Sequence, residues 1–201
     1  MNLMETGVKK MNSNPRLALG IQPSIALTGR QLNMLRRIAN YEMGFVLWKL
    51  VEDKKIPSRL ASKAEYEFKR FITLVALGNK PMAMISPLID EVWHQFILFT
   101  NEYKEFCERT VGRFINHLPD TPFTPIPEVA GINFLGAYRN HFGALEKIWF
   151  SGMRKETLEF YKNPNPVGKP PQRWSGWTGP NKNSSLRKRS HARTSSRRSK
   201  S

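Results

Sequence analysis

Cysteine is nearly absent from this chain: Cys107 stands alone. One thiol excludes an internal disulfide framework and a multi-thiolate zinc cage, and it fits a reducing compartment. Long apolar runs are missing too. MNLMETGVKKMNSNPRLALG holds no apolar core of the roughly 7–15 residues that a secretory signal needs, and no later stretch reaches the about 18 uncharged residues of a membrane span. The sequence therefore predicts a soluble, intracellular protein. Strand alternation, an internal repeat, a G-x-S-x-G elbow, a Gly-rich phosphate loop and a dinucleotide fingerprint are all lacking. Solenoid architectures and the common nucleophilic and nucleotide-binding chemistries lose their support with them. Acidic residues are scarce, 16 against 32 Lys and Arg, and the formal charge of +16 favours anionic partners such as nucleic acid or an acidic membrane surface.

What is present is helical patterning. The 201 residues, 40% of them hydrophobic, suffice for one domain with irregular ends. Residues 1–27 mix Asn, Gly, Pro and Ser without periodicity and read as a flexible leader. Thr28 and Gln31 have the spacing of a capping box, and Leu32, Leu35, Ile38, Phe45 and Trp48 continue an apolar stripe toward Val51, with Gly44 loosening its middle. A second box, Ser62 to Glu65, precedes Phe68, Phe71, Ile72 and Val75, and Gly78 stands where a left-handed cap is expected. Asn79 to Ile85 reads as a linker. Ser86-Pro87 then supplies an N-cap with proline in the first helical turn, and Asp90 and Glu91 suit the helix dipole.

The spacing predicts one long, buried central helix from Pro87 to Val111, ended by Gly112. Pro119, Pro122, Pro125 and Pro127 keep the following segment loop-like. Further helices are expected from Ile132 to Phe142 and from Met153 to Tyr161. The expected fold is all-α, a compact bundle of four to five helices over residues 28–161. Residues 162–201 hold eleven Lys and Arg and no acid, leaving only +5 of the formal charge to the rest, and read as a disordered basic tail.

Within residues 86–120 the chain resembles the glycine-rich domain-containing-protein-like family of bacterial type, whose signature is V-D-E-V-W-H-x-H-I-L-x-T-x-x-Y-x-x-x-C-x-x-x-x-G-x-F-x-H-H-x-P. The resemblance is carried by Asp90, Glu91, Val92, Trp93, His94, Ile97, Leu98, Thr100, Tyr103, Cys107, Gly112, Phe114, His117 and Pro119. EYEFKRFITLVAL and FLGAYRNHFG extend it over roughly residues 64–149. Phe96 and Asn116 stand where the pattern has histidines, so a family site using those imidazoles is impaired here. The resemblance implies kinship and fold, and transfers no reaction.

Three chemistries present themselves. Along one unbroken helix His94 and Cys107 lie on the order of 20 Å apart and cannot share an ion, which leaves Cys107 as a small buried hydrophobe. Asp90 and His94, four residues apart, share a helical face, with His117 as a conceivable third metal ligand. Asn101, Glu105 and Glu108 on that same face make a solvated polar stripe the simpler expectation. The sequence thus assigns no catalytic residue, no metal ligand and no cofactor. In the tail, Arg187, Lys188, Arg189, Arg193, Arg197, Arg198 and Lys200 are suited to neutralising phosphates. Arg173, Trp174 and Trp177 upstream are suited to stacking on unpaired bases. The expected function is a non-enzymatic binding or accessory protein, its helical body making protein contacts and its tail engaging RNA or DNA without sequence readout. The alternatives are a metal-dependent protein or enzyme built on Asp90, His94 and His117, and an assembly or packaging protein that self-associates.

Overall fold

Helix signals that are local in sequence reappear in the computed structural model, which describes residues 14–163 apart from 120, 122 and 128. All regular elements among these residues are helical. In chain order they are α1 (Pro15–Leu19), α2 (Gly29–Asn40), α3 (Gly44–Glu52), α4 (Ser58–Leu77), α5 (Pro87–Ile97), α6 (Thr100–Phe106), a π turn (Cys107–Val111), α7 (Val129–Phe142), a 3₁₀ turn (Lys147–Phe150) and α8 (Lys155–Lys162). The all-α class expected from the sequence is the one found. The helices are more numerous than periodicity predicts, because the two longest expected ones are interrupted.

The caps show why some boundaries were readable. Thr28 accepts from the Gln31 backbone N–H at 3.3 Å while its own N–H donates to Gln31 Oε1 at 2.8 Å, closing the box at the start of α2. Ser86 Oγ accepts from Ile89 N–H, and Pro87 follows it in the first turn of α5. Gly112, at φ 80°, takes the left-handed conformation that ends the π turn. Other boundaries differ. α4 begins at Ser58, a turn before the Ser62–Glu65 pair, and Gly78 closes it in extended backbone rather than left-handed. The helix expected from residue 28 to Val51 breaks at Tyr41, whose carbonyl accepts from Lys69 Nζ at 2.7 Å and whose hydroxyl donates to the Glu102 carbonyl.

Residues 14–27, read above as part of a flexible leader, pack on the body. Leu19 and Ile21 are buried, Gly20 turns the chain at φ 67°, and Arg70 Nε donates to the Leu19 carbonyl at 2.8 Å. A helix of five residues is too short to leave a periodic signature, and tertiary contacts order it. The segment expected as a linker, Asn79 to Ile85, likewise ends buried: Ala83, Met84 and Ile85 are inside, and Ala83 N–H donates to the Ala130 carbonyl at 3.1 Å.

α5 runs through the middle, against α3, α4, α6 and the 3₁₀ turn. Of its first ten residues only His94 is exposed. Such a helix has no solvated face, and each polar side chain on it needs an internal partner. Behind it, Glu67 of α4 is buried and accepts from Tyr138 Oη at 2.7 Å, Trp149 Nε1 at 2.8 Å and Arg70 at 3.0 Å, tying α4 to α7 and the 3₁₀ turn. Opposing charge and two neutral donors compensate this carboxylate for its lost hydration.

Candidate functional site

The start of α5 fixes two side chains. Because Ser86 and Pro87 set the helix start, Asp90 falls in the first turn and His94 one turn later on the same side. Asp90 is buried while His94 lies at the surface. The third member comes from a loop. Gly112 reverses the chain, Arg113 donates to the Val75 carbonyl at 3.0 Å, and the segment returns along α5 to bring His117 onto Asp90.

His117 Nε2 lies 3.0 Å from Asp90 Oδ1, and His94 Nε2 lies 3.6 Å from Asp90 Oδ2. The two imidazole centroids are 4.7 Å apart. One ligand atom from each of the three residues falls within 4.8 Å of the others. Metal–ligand bonds of about 2.1 Å place neighbouring donors about 3.0 Å apart in octahedral and about 3.4 Å apart in tetrahedral coordination; the His117 contact to Oδ1 has that length, while His94 lies by the other oxygen, Oδ2, at a longer 3.6 Å.

A relay of buried groups holds His117 in place. Trp93 Nε1 donates to Tyr103 Oη at 2.9 Å, and that hydroxyl donates in turn to the carbonyl of Ile115, two residues before His117. The Trp93 ring also meets His117 edge-on at 4.5 Å and 81°. One face of the cluster therefore rests on aromatic groups. The cluster also lines a cleft of about 780 Å³, together with Trp93, the polar Asn116 and Thr124, and otherwise apolar residues.

The polar stripe expected around Asp90 and His94 is not found. α5 ends at Ile97, Phe99 leaves helical geometry at φ −90°, ψ 71°, and Asn101, Glu105 and Glu108 belong to α6 and the π turn rather than to the Asp90 helix. The long helix from Pro87 to Val111 is thus three elements. Cys107 keeps its expected role: it is fully buried, its thiol is pushed up from its ordinary value first of all by desolvation, and it lies outside the Asp90 cluster.

Phe96 and Asn116, the two departures from the histidine pattern, have opposite surroundings. Phe96 is fully buried against Tyr41, Phe45, Phe68, Tyr103 and Phe106, two residues and about 200° around the helix from His94. Its replacement leaves the cluster intact. Asn116 lines the cleft beside His117.

Sequence reasoning did not find the walls of the cleft, which come from the supposed linker at Pro81–Met84 and from the proline-rich loop. Proline in that loop was the available signal, since it fixes extended backbone that can line a groove. The tail residues Arg173, Trp174, Trp177, Arg187, Lys188, Arg189, Arg193, Arg197, Arg198 and Lys200 lie outside the described residues. Among the described residues, no helix is long and apolar enough to cross a membrane.

No curated protein and no solved structure matches the chain. A family model described as UCP032817-like matches residues 34–128, a span that contains Asp90, His94 and His117 and the relay through Trp93 and Tyr103.

Proposed function

We propose that the helical body is a metal-dependent protein in which Asp90, His94 and His117 hold a divalent transition-metal ion at the floor of the cleft. The observation that carries this reading is the convergence of two imidazoles on one buried carboxylate, from α5 and from a loop 27 residues away in sequence. Two nitrogens and one carboxylate oxygen suit Zn²⁺ or Fe²⁺. Three protein ligands would leave coordination positions free, and all three side chains line the cleft, as suits a reactive centre rather than a closed structural site. This reading reverses the expected division of labour, in which the body made only protein contacts. Kinship with the glycine-rich domain-containing-protein-like family fits it, since His94 and His117 both belong to that signature, although no reaction comes with the kinship.

Calorimetric titration of Zn²⁺ into metal-free protein is expected to give one binding event per chain, together with a rise in melting temperature. His94→Ala and His117→Ala are each expected to abolish both signals. Heat that survives in the double variant sinks the proposal.

The basic cluster of residues 182–201 favours a second, separable activity. Seven Lys and Arg between Arg187 and Lys200, with no acid nearby, match a polyphosphate backbone. Deleting residues 182–201 is expected to remove most affinity for single-stranded RNA or DNA. Binding by the full chain is expected to weaken steeply between low and high salt, and salt-independent binding contradicts this reading.

A further inference from the structure

We infer that the cleft takes a small, predominantly hydrocarbon molecule with an oxygen-donor head of at most one negative charge, the head on the ion held by Asp90, His94 and His117 and the tail along the cleft walls. This rests on the metal-centre reading above and specifies its ligand. Three observations converge on it.

The first is the composition of the walls. Pro81, Met82, Met84, Leu118, Pro125 and Ala130 line the cleft, and beyond the Asp–His–His cluster the described lining contributes only uncharged side chains. Neither Lys nor Arg is among them, and the polar lining beyond the cluster is Asn116 and Thr124, so no cationic side chain described there meets a phosphate, a nucleotide or a second carboxylate. A metal dication beside Asp90 carries one net positive charge. That is matched by an oxygen-donor head that loses one proton on binding, as a hydroxamic acid does.

The second is size. A cavity of about 780 Å³ lies within the roughly 300–1,000 Å³ range of small-molecule sites and far exceeds the space of a metal-bound water. The third is exposure at the rim. Leu118, which lines the cleft, is 64% exposed. An apolar side chain left in water at the edge of the cleft gives a hydrocarbon tail a surface to cover.

Hydroxamates test this directly, because acetohydroxamate and octanohydroxamate present the same metal-binding head on tails of different length. In zinc-loaded protein, each added methylene is expected to tighten binding about fourfold until the cleft is filled, the equivalent of about 0.8 kcal/mol per buried methylene. Metal-free protein is expected to bind octanohydroxamate at least tenfold more weakly than the zinc-loaded form. Leu118→Ser, at an exposed position that folding does not depend on, is expected to weaken octanohydroxamate severalfold and leave zinc and acetohydroxamate binding unchanged. If zinc binds but both hydroxamates bind equally, the hydrocarbon assignment is overturned and the metal centre stands. Inorganic phosphate binding more tightly than octanohydroxamate overturns it as well, and so does a Leu118→Ser variant that keeps full octanohydroxamate affinity. Octanohydroxamate that binds equally well without zinc shows that the head is not on the ion and overturns the placement. Absence of zinc binding overturns the centre itself and this assignment with it.

Discussion

Asp90 and His117 are separated by 27 residues in sequence and by 3.0 Å between Oδ1 and Nε2. The contact joins the first turn of the central helix to a loop that has left that helix, crossed a π turn and come back along it. Buried carboxylates persist where a hydrogen-bonding or charged partner compensates for lost hydration. Among the described residues both side-chain partners of Asp90 are imidazoles, one half-buried against Trp93 and one reaching the surface. The pairing is therefore a property of the fold, and its consequences can be measured one group at a time.

Asp90→Asn separates the charge of this residue from its shape. The amide can still hydrogen-bond an imidazole, so the urea midpoint is expected to move little, by about 1 kcal/mol of stability. Zinc affinity is expected to fall by more than the roughly 10–100-fold that loss of an outer-shell partner costs, because a direct anionic ligand is gone. Paired calorimetry and denaturation decide it. A variant that loses stability but keeps zinc places Asp90 among purely structural groups.

Tyr103→Phe addresses the relay that positions His117. Removing one hydroxyl leaves the Trp93 indole N–H and the Ile115 carbonyl without their buried partner, at a cost of about 2 kcal/mol in denaturant unfolding. Packing of the ring in the core is retained. If the relay fixes the His117 loop, zinc affinity falls about tenfold as well, while the stoichiometry stays at one. Unchanged zinc affinity shows that the loop is held by other contacts.

Local chemistry was legible in the sequence and the return of the chain was not. The Thr28–Gln31 box, the Ser86-Pro87 start and the Gly112 stop each depend on residues within one turn of one another, and each is found where its residues predict. The break at Phe99 has no such marker: no Pro or Gly lies between Val92 and Gly112, and Phe99 caps nothing with its side chain. It is set by tertiary packing that turns Tyr103 toward Ile115, which local propensity does not encode. Reading one helix through that break put Glu105 and Glu108 on the face of Asp90, and so made a cluster around a buried carboxylate look like a solvated stripe. The Asp90–His94 half of the site was visible as a spacing of four, whereas the arrival of His117 depends on the path after Gly112.

Alkaline pH is expected to destabilise the body. Burial raises the Cys107 thiol above its ordinary value of 9.0, and burial foremost also raises Tyr103 and Tyr138 above 10.0. The folded chain thus keeps protons that the unfolded chain releases. Stability from these groups is fully present below pH 9 and is lost as pH rises above the unfolded values toward the folded ones. The urea midpoint is expected to be flat from pH 7 to about 8.5 and then to decline. Cys107→Ala removes the thiol's share, so its decline should begin about one pH unit later, where the tyrosines take over. An identical profile for the variant and the parent chain shows that the thiol contributes nothing.

Restoring the two missing histidines one at a time distinguishes their surroundings. Phe96→His places an imidazole among five aromatic rings, where Phe96 has no exposed surface. Lost apolar contact and an uncompensated polar ring are expected to cost about 3 kcal/mol, and the new imidazole, about 200° around α5 from His94, gives zinc no further ligand. Asn116→His acts in the cleft itself, beside His117 and at an exposed position, so folding should tolerate it. A third nitrogen, and so a fourth protein ligand, is expected to tighten zinc binding at least tenfold. Filling a free coordination position should also weaken octanohydroxamate, since the head then competes with a protein ligand. Tighter zinc with unchanged hydroxamate binding in Asn116→His shows that the free positions of the ion do not face the cleft.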